Sequence, residues 1–181
     1  MPDGQVSAMR ATAHPIRLRI LSLLTGASLS AADIARELDL THANASYHVR
    51  VLASAGLVVE AGEEKIRGGI AKRFRHPWEQ QDPHTPRPGD RDRALFVRAL
   101  ADELIRRFAL RRPGSTGAST DAEVWLAPEV WAQAMTLVEH ASYLVHAEAK
   151  TPRTPGTIHV NMTSAMFEMA EPERDAEGGR R

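Results

Sequence analysis

Hydrophobic residues near the start of the chain recur at helical spacing. Ile16, Ile20 and Leu23-Leu24 follow one another at intervals of three and four residues, which places them on one stripe of a helix. Gly26 follows this stripe, and a glycine in that place is typical of a helix end. The pattern therefore predicts a first amphipathic helix that ends at Gly26.

Two further helices, joined by a tight connection, are predicted between Ser30 and Gly56. The run Ser30–Asp33 has the form of a capping box, and it starts a short helix that buries Ile34 and Leu38. After Asp39-Leu40, Thr41 is a suitable N-cap for the next helix. That helix ends at Gly56 and carries three residues on its buried face: Ala45, Val49 and Leu52. This spacing is typical of a helix-turn-helix, whose second helix enters the major groove of DNA.

A β-hairpin is predicted to follow the helices. The run Leu57–Glu60, with three apolar residues, indicates a strand. Residues 61–64 and 68–69 are turn-prone, and Ile70–Arg75 is predicted to be the return strand. Residues 77–90 contain four prolines and are predicted to form a linker.

A long helix is predicted over Arg91–Arg112. Its apolar residues form two adjacent rows, which are Phe96, Leu100, Leu104 and Phe108 in one and Val97, Ala101 and Ile105 in the other. This stripe is wider than one packing surface normally needs. Two interpretations stay open: an ordinary core helix, or a helix covered on one side by its own domain and on the other by a second subunit.

The rest of the chain predicts a strand at Glu123–Ala127, a helix at Pro128–Lys150 and an alternating strand at Thr157–Met169. The predicted fold class is therefore α+β and mostly helical. A winged helix-turn-helix over residues 1–76 precedes the linker 77–90. Residues 91–169 hold the long helix and a small β-α-β module for dimerisation, effector binding or both, and residues 170–181 are predicted to be a disordered tail.

The outward face of the helix after Thr41 carries the first candidate binding residues. At about 100° per residue, Ala43, Tyr47 and Arg50 lie opposite the buried face, and Asn44 and Ser46 lie on its flanks. Arg50 has the geometry to fork onto a guanine edge or a phosphate, and Asn44 has the geometry to pair with adenine. No residue on this face is acidic, as a surface that approaches phosphates requires.

The hairpin adds basic side chains to this face. Lys65 and Arg67 lie near its predicted tip, and Arg73 lies on the return strand beside Lys72 and Arg75. An arginine on a glycine-flanked tip suits a narrow and strongly negative minor groove.

These segments resemble the ArsR-type winged helix-turn-helix repressors. The run His14–Leu21 is similar to their opening helix, Ser46–Leu52 to their recognition helix, and Arg67–Arg75 to the wing of a larger branch. The resemblance covers about residues 8–76.

The resemblance implies a homodimeric repressor that binds a roughly palindromic DNA operator. Position by position it implies contacts to DNA from one wing residue, Arg67, and from six residues of the recognition helix: Thr41, His42, Asn44, Ser46, Tyr47 and Arg50. His48 matches a histidine common in this motif, and both a structural role and a phosphate contact stay open for it. Metal-sensing relatives carry cysteines in the helix matched here by Ala31–Asp39, or His/Asp pairs on the helix after the wing. Neither occurs here, since Arg91–Arg112 contains no histidine, so no metal site is expected.

Composition narrows the function further. The chain has 181 residues with 23 Lys+Arg and 23 Asp+Glu, and it has no cysteine, which excludes disulfides and thiolate chemistry. The first 76 residues hold ten basic against seven acidic side chains, whereas residues 121–181 hold five against ten. This asymmetry favours an anionic partner for the N-terminal part. We expect a cytoplasmic protein without a membrane span, because no uncharged run reaches about 18 residues.

Three other interpretations of the residues stand beside a plain DNA-binding regulator. A small apolar effector is one expectation, with a pocket lined by Trp125, Trp131, Met135, Tyr143, Met162 and Met166; an ordinary core is the other interpretation of these residues. A winged-helix module that binds a protein is the second alternative. An enzyme is the third, but no catalytic constellation or cofactor motif is found, so no enzymatic function is expected.

Overall fold

The computed structural model describes residues 8–66, 69–80 and 90–170. The predicted linker positions 81–89, Arg67 and the tail from 171 onward therefore lie outside the described residues. Within the described ranges the chain forms these elements, in order: α1 (Ala8–Thr12), α2 (Pro15–Thr25), β1 (Leu29–Ser30), α3 (Ala31–Leu38), α4 (His42–Ser54), β2 (Val59–Ile66), β3 (Gly69–Arg75), a 3₁₀ turn (Trp78–Gln80), α5 (Asp90–Ala109) and α6 (Pro128–Ala147).

The N-terminal helices start at the cap residues that the sequence supplies. His14 caps α2, since its Nδ1 accepts a hydrogen bond from the backbone N–H of Ile16 at 3.1 Å. Ser30 and Asp33 form the predicted capping box of α3. Burial would raise the pKa of the Asp33 carboxyl, but hydrogen bonds from Ser30 and the charges of Arg36 and Arg73 bring that pKa below its ordinary value.

The hydrophobic core lies between α2, α3 and α4. Its largest fully buried aliphatic side chains are Ile20, Leu24, Ile34, Val49 and Leu52. All five are at positions that the helical spacing predicts to be buried, so the prediction is confirmed. Each contributes about 1.5–3 kcal/mol by leaving water. Three helices held in this way leave only one face of α4 open to solvent.

The three strands form one antiparallel sheet in the order β1-β3-β2. The predicted hairpin is present, but its first strand is longer than predicted and extends to Ile66. The predicted turn over residues 61–64 is wrong, because these residues lie within β2. The register shifts between Glu60 and Glu63, and Gly62 there has a φ of 117°. Gly62 therefore lies in a β-bulge. The positive φ that glycine allows, which made this segment look turn-prone, is used by the bulge instead.

The C-terminal half is built around α5 and α6. The predicted long helix is present as α5 and packs against α1 and α2. The predicted second helix is present as α6, and none of its residues is fully buried. With the small sheet, the observed fold is mostly helical with a winged N-terminal unit, as expected.

The two strands predicted for the C-terminal module are wrong in this structure. Residues 123–127 and 157–169 form neither strand nor helix. Alternation alone does not make a strand, because a strand also needs a neighbour to accept and donate its backbone hydrogen bonds. The described part of this chain supplies no such neighbour to either segment.

Candidate nucleic-acid interface

The turn between α3 and α4 sets the direction of the second helix. Asp39 adopts a left-handed conformation with φ 55°, and its backbone N–H donates a hydrogen bond to the carbonyl of Ala35. Thr41 then caps α4, because its hydroxyl accepts a hydrogen bond from the backbone N–H of Asn44 at 3.2 Å. The local geometry is that of a helix-turn-helix.

One face of α4 is exposed and carries most of the predicted contact residues. The predicted residues on it are Thr41, His42, Asn44, Tyr47 and Arg50. Ser46 is half-buried on the flank of this face. No aspartate or glutamate occurs between residues 40 and 59. Because the opposite face is fixed in the core through Ala45, Val49 and Leu52, this exposed surface is held in place by packing.

The hairpin of β2 and β3, which we call the wing, lies on the same side of the domain as the start of α4. A shallow groove is lined by His42 of α4 and by Ile66, Ile70 and Lys72 of the wing. Arg36 and Asp33 of α3 and Glu64 of β2 also line it. Exposed residues of the recognition helix and of the wing therefore share one surface, which a duplex would meet at two places.

Two of the basic side chains of the wing form ion pairs with glutamates of the same hairpin. Arg73 is half-buried and donates to Glu64 Oε2 at 2.5 Å and to the backbone carbonyl of Ser28. Lys72 donates to Glu60 Oε1 at 2.8 Å, and this hydrogen bond raises the pKa of Lys72. The structure thus gives Arg73 a role in fixing β3 to the segment before β1. Lys65 is exposed near the tip and faces solvent.

His48 is buried beneath the exposed face. Its side chain is 4% exposed, and its ring centroid lies 4.8 Å from that of His14 and 5.2 Å from that of Tyr47. Burial, followed by the charges of His14 and Arg17, lowers the pKa of His48. A neutral and buried ring does not reach a phosphate, so of the two roles left open the geometry favours the structural one.

Arg17 is a further candidate for the nucleic-acid interface, and the sequence analysis did not single it out. It lies on α2 near the exposed face of α4, where its guanidinium donates to the backbone carbonyls of Ala11 and Arg10. Its positive charge contributes to the lowered pKa of His48. The sequence shows only that Arg17 lies in the first turn of the helix that begins at Pro15 after the cap residue His14. Its proximity to α4 depends on tertiary packing and could not be predicted from that position.

Residues 12–61 match a family model described as a helix-turn-helix domain. The match spans α2 to the middle of β2 and therefore includes the whole exposed face of α4. A search of curated proteins finds no match. The match agrees with the geometry described above, and both support a DNA-binding regulator.

The six residues predicted for an effector pocket do not enclose a space within one chain. Trp125 is 85% and Tyr143 is 62% exposed, and Tyr143 packs at 5.5 Å against Trp78. Trp131, Met135 and Met166 are half-buried, and Met162 is exposed. Binding of a small apolar ligand stays a prediction.

The described ranges, residues 8–66, 69–80 and 90–170, contain neither a metal-binding cluster nor a membrane-spanning helix. No cluster of three or more His, Asp or Glu residues there has the geometry to hold a metal ion. No helix in these ranges is long and apolar enough to cross a bilayer.

Proposed function

We propose that this protein is a sequence-specific double-stranded DNA-binding regulator of transcription. The observation that carries the proposal is the exposed face of α4, which contains no acidic residue and is fixed by a buried opposite face. Phosphate contacts supply much of the affinity of such proteins, whereas base contacts supply the sequence preference. Because a regulator of this kind has to reach chromosomal DNA, the proposal includes a cytoplasmic location.

The proposal gives the side chains of α4 separate roles. Arg50 forks onto a guanine edge, and Asn44 pairs with adenine. Tyr47 contacts bases or sugar from the centre of the face, and Thr41, His42 and Ser46 bind the backbone at its edges. Lys65 and Arg67 of the wing approach the adjacent minor groove. Arg73 has a different part, because its bonds to Glu64 and Ser28 support the wing.

We further propose that the protein acts as a homodimeric repressor of the ArsR type. The support comes from α5, which packs on α1 and α2 with one face and leaves apolar side chains such as Ile105 and Phe108 uncovered on the other. Two copies joined through this region would present two recognition helices, and a palindromic operator would meet them about 34 Å apart. The proposal includes no catalytic activity and no cofactor.

The experiment is fluorescence anisotropy on the duplex upstream of the protein's own gene and on a scrambled duplex, over a salt series. We expect at least ~10³-fold preference for the first duplex and a steep loss of affinity with salt. Arg50→Ala should weaken specific binding by about 5–150-fold, the equivalent of about 1–3 kcal/mol for a bidentate base contact. Arg98→Ala, which removes the same charge from an exposed position on α5, is the matched control.

Two outcomes contradict the proposal. Equal and weak binding of both duplexes, together with no enrichment from a random duplex library, would favour the winged-helix protein-interaction module instead. Equal effects of Arg50→Ala and Arg98→Ala would show that α4 does not read bases.

A further inference from the structure

Helix α5 has two apolar faces, and the described residues of the chain cover only one of them. Ala99 and Glu103 are buried against α1 and α2. On the opposite side, exposed apolar residues recur at intervals of three and four and form what we call the outer stripe: Val97, Ala101, Leu104, Ile105 and Phe108. Ile105 is 71% exposed. An exposed apolar stripe of this length on a helix indicates a contact surface.

The segment that follows α5 is uncovered in the same way. Residues 110–127, which we call the arm, form neither helix nor strand, and every one of them is exposed. Its apolar residues are concentrated near its end, at Val124, Trp125 and Leu126, and Trp125 is 85% exposed. The arm does not cover the outer stripe of its own chain, since that stripe remains exposed beside it.

The accessible surface of the chain is larger than its mass predicts. It measures 14475 Å², whereas a compact monomer of 19.9 kDa exposes about 8,700 Å². Even if the residues outside the described ranges are given the area of a fully extended chain, roughly 2,000 Å² remains in excess. A stable interface buries about 800 Å² per partner. The excess is therefore sufficient for a second copy to cover.

We propose that the arm of one copy lies on the outer stripe of α5 in a second copy, with Trp125 as its anchor. This deepens the proposed function, because it rests on the homodimer and specifies how the copies are joined. An extended arm of this length reaches roughly 60 Å, whereas the 20 residues of α5 span about 30 Å. The arm is thus long enough to follow the partner's helix and return to its own α6.

A second copy fits this surface because arm and stripe are on the same chain. In a two-fold dimer each arm finds the partner's stripe and each stripe receives the partner's arm, so one type of contact is made twice. An exposed tryptophan that enters an apolar surface is also the residue type that most often dominates an interface.

The first test is crosslinking, for which the chain has no native cysteine that would interfere. Ala122→Cys, in the arm, and Ala101→Cys, in the outer stripe, are made in separate preparations of the full chain, which are then mixed and treated with a short bis-maleimide. We expect a mixed crosslinked dimer. The control pair is Ala122→Cys with Ala61→Cys, an exposed position in the wing, and it should give no such product. A dimer that forms without the first crosslink overturns the proposal.

The second test is sedimentation equilibrium of the wild type, of Trp125→Ala and of the control Ile70→Ala, an exposed apolar residue in the wing. We expect Trp125→Ala to raise the dimer dissociation constant at least tenfold and Ile70→Ala to leave it unchanged. A monomeric wild type, or equal behaviour of both variants, overturns the proposal. A crosslinked dimer that binds both duplexes equally would instead refute the proposed function and leave the arm contact standing.

Discussion

Glu103 offers a sharp test of the buried charge on the inner face of α5. Its side chain is only 2% exposed, and its carboxylate accepts hydrogen bonds from Arg106 at 2.8 Å and from Arg107 at 3.2 Å. Burial would raise the pKa of Glu103, but the hydrogen bonds and charges of these two arginines bring it below the ordinary value of 4.5. The buried carboxylate is therefore ionised at neutral pH, and the two arginines balance its negative charge.

Replacing Glu103 with Gln keeps its shape and removes its charge. Breaking a fully buried ion pair costs about 3–5 kcal/mol, but Arg106 and Arg107 are partly exposed here, with side chains 39% and 21% accessible. Water therefore screens the arginines once the carboxylate is gone. We expect a loss of about 1–3 kcal/mol in the free energy of unfolding at pH 7. For a chain of this size that corresponds to a fall in Tm of about 2–12 °C.

The pH dependence of this loss follows from the lowered pKa of Glu103. In the folded state the carboxyl keeps its charge to lower pH than in the unfolded state, so its contribution is complete above the unfolded pKa near 4.5. It is lost as the pH falls through the folded pKa, because the wild-type side chain then becomes neutral as well. The difference between the wild type and Glu103→Gln should therefore shrink at low pH.

The assay is urea unfolding followed by circular dichroism at pH 7 and at pH 3. Asp102→Asn is the matched control, because Asp102 is the exposed neighbour on the same helix and the substitution removes the same charge. We expect the control to stay within about 0.5 kcal/mol of the wild type. The reasoning is refuted if both variants lose the same stability at pH 7, or if the loss in Glu103→Gln is undiminished at pH 3.

Two further predictions concern close packing around the helix-turn-helix. Gly26→Ala should destabilise the fold by about 1–3 kcal/mol, because its added Cβ would lie 2.6 Å from the backbone carbonyl oxygen of Lys150. Gly117→Ala, which meets nothing within 4 Å, is its control in thermal unfolding, and equal Tm values would contradict the contact. His48→Leu should reduce the loss of stability as the pH falls below about 6.5, since burial lowers the pKa of His48 and protonation of the buried ring is then costly. Unfolding of both proteins between pH 7 and pH 5 tests this, and parallel curves would show that the pKa of His48 is the same in the folded and unfolded states.

Much of the N-terminal unit follows from local signals in the sequence. The capping box at Ser30, the Thr41 cap and the apolar stripes each act within one or two helical turns, so the helices and their buried faces could be predicted. The exposed face of α4 follows from the same periodicity.

The parts that could not be predicted depend on partners distant in sequence. Arg73 reads as a free cation for DNA, but in the fold it is bound to the carbonyl of Ser28, 45 residues earlier. The bulge at Gly62 appears only once β2 has a register against β3. Residues 123–127 and 157–169 carry a strand pattern without a strand partner, and no local rule distinguishes these two situations.

The contacts between the two halves of the chain bear on how a dimer would read DNA. Arg107 donates to Ser22 of α2 at 3.4 Å and to Asn161 at 3.1 Å, and Arg153 binds Glu37 of α3 at 2.7 Å. The C-terminal half is thus attached to α2 and α3, two of the helices that pack directly against α4. If two copies join through α5 and the arm, the distance between their recognition helices is set by these attachments. Since a duplex presents successive major grooves about 34 Å apart, a ligand or contact that shifts α5 on α2 would change the affinity for DNA without touching the binding face.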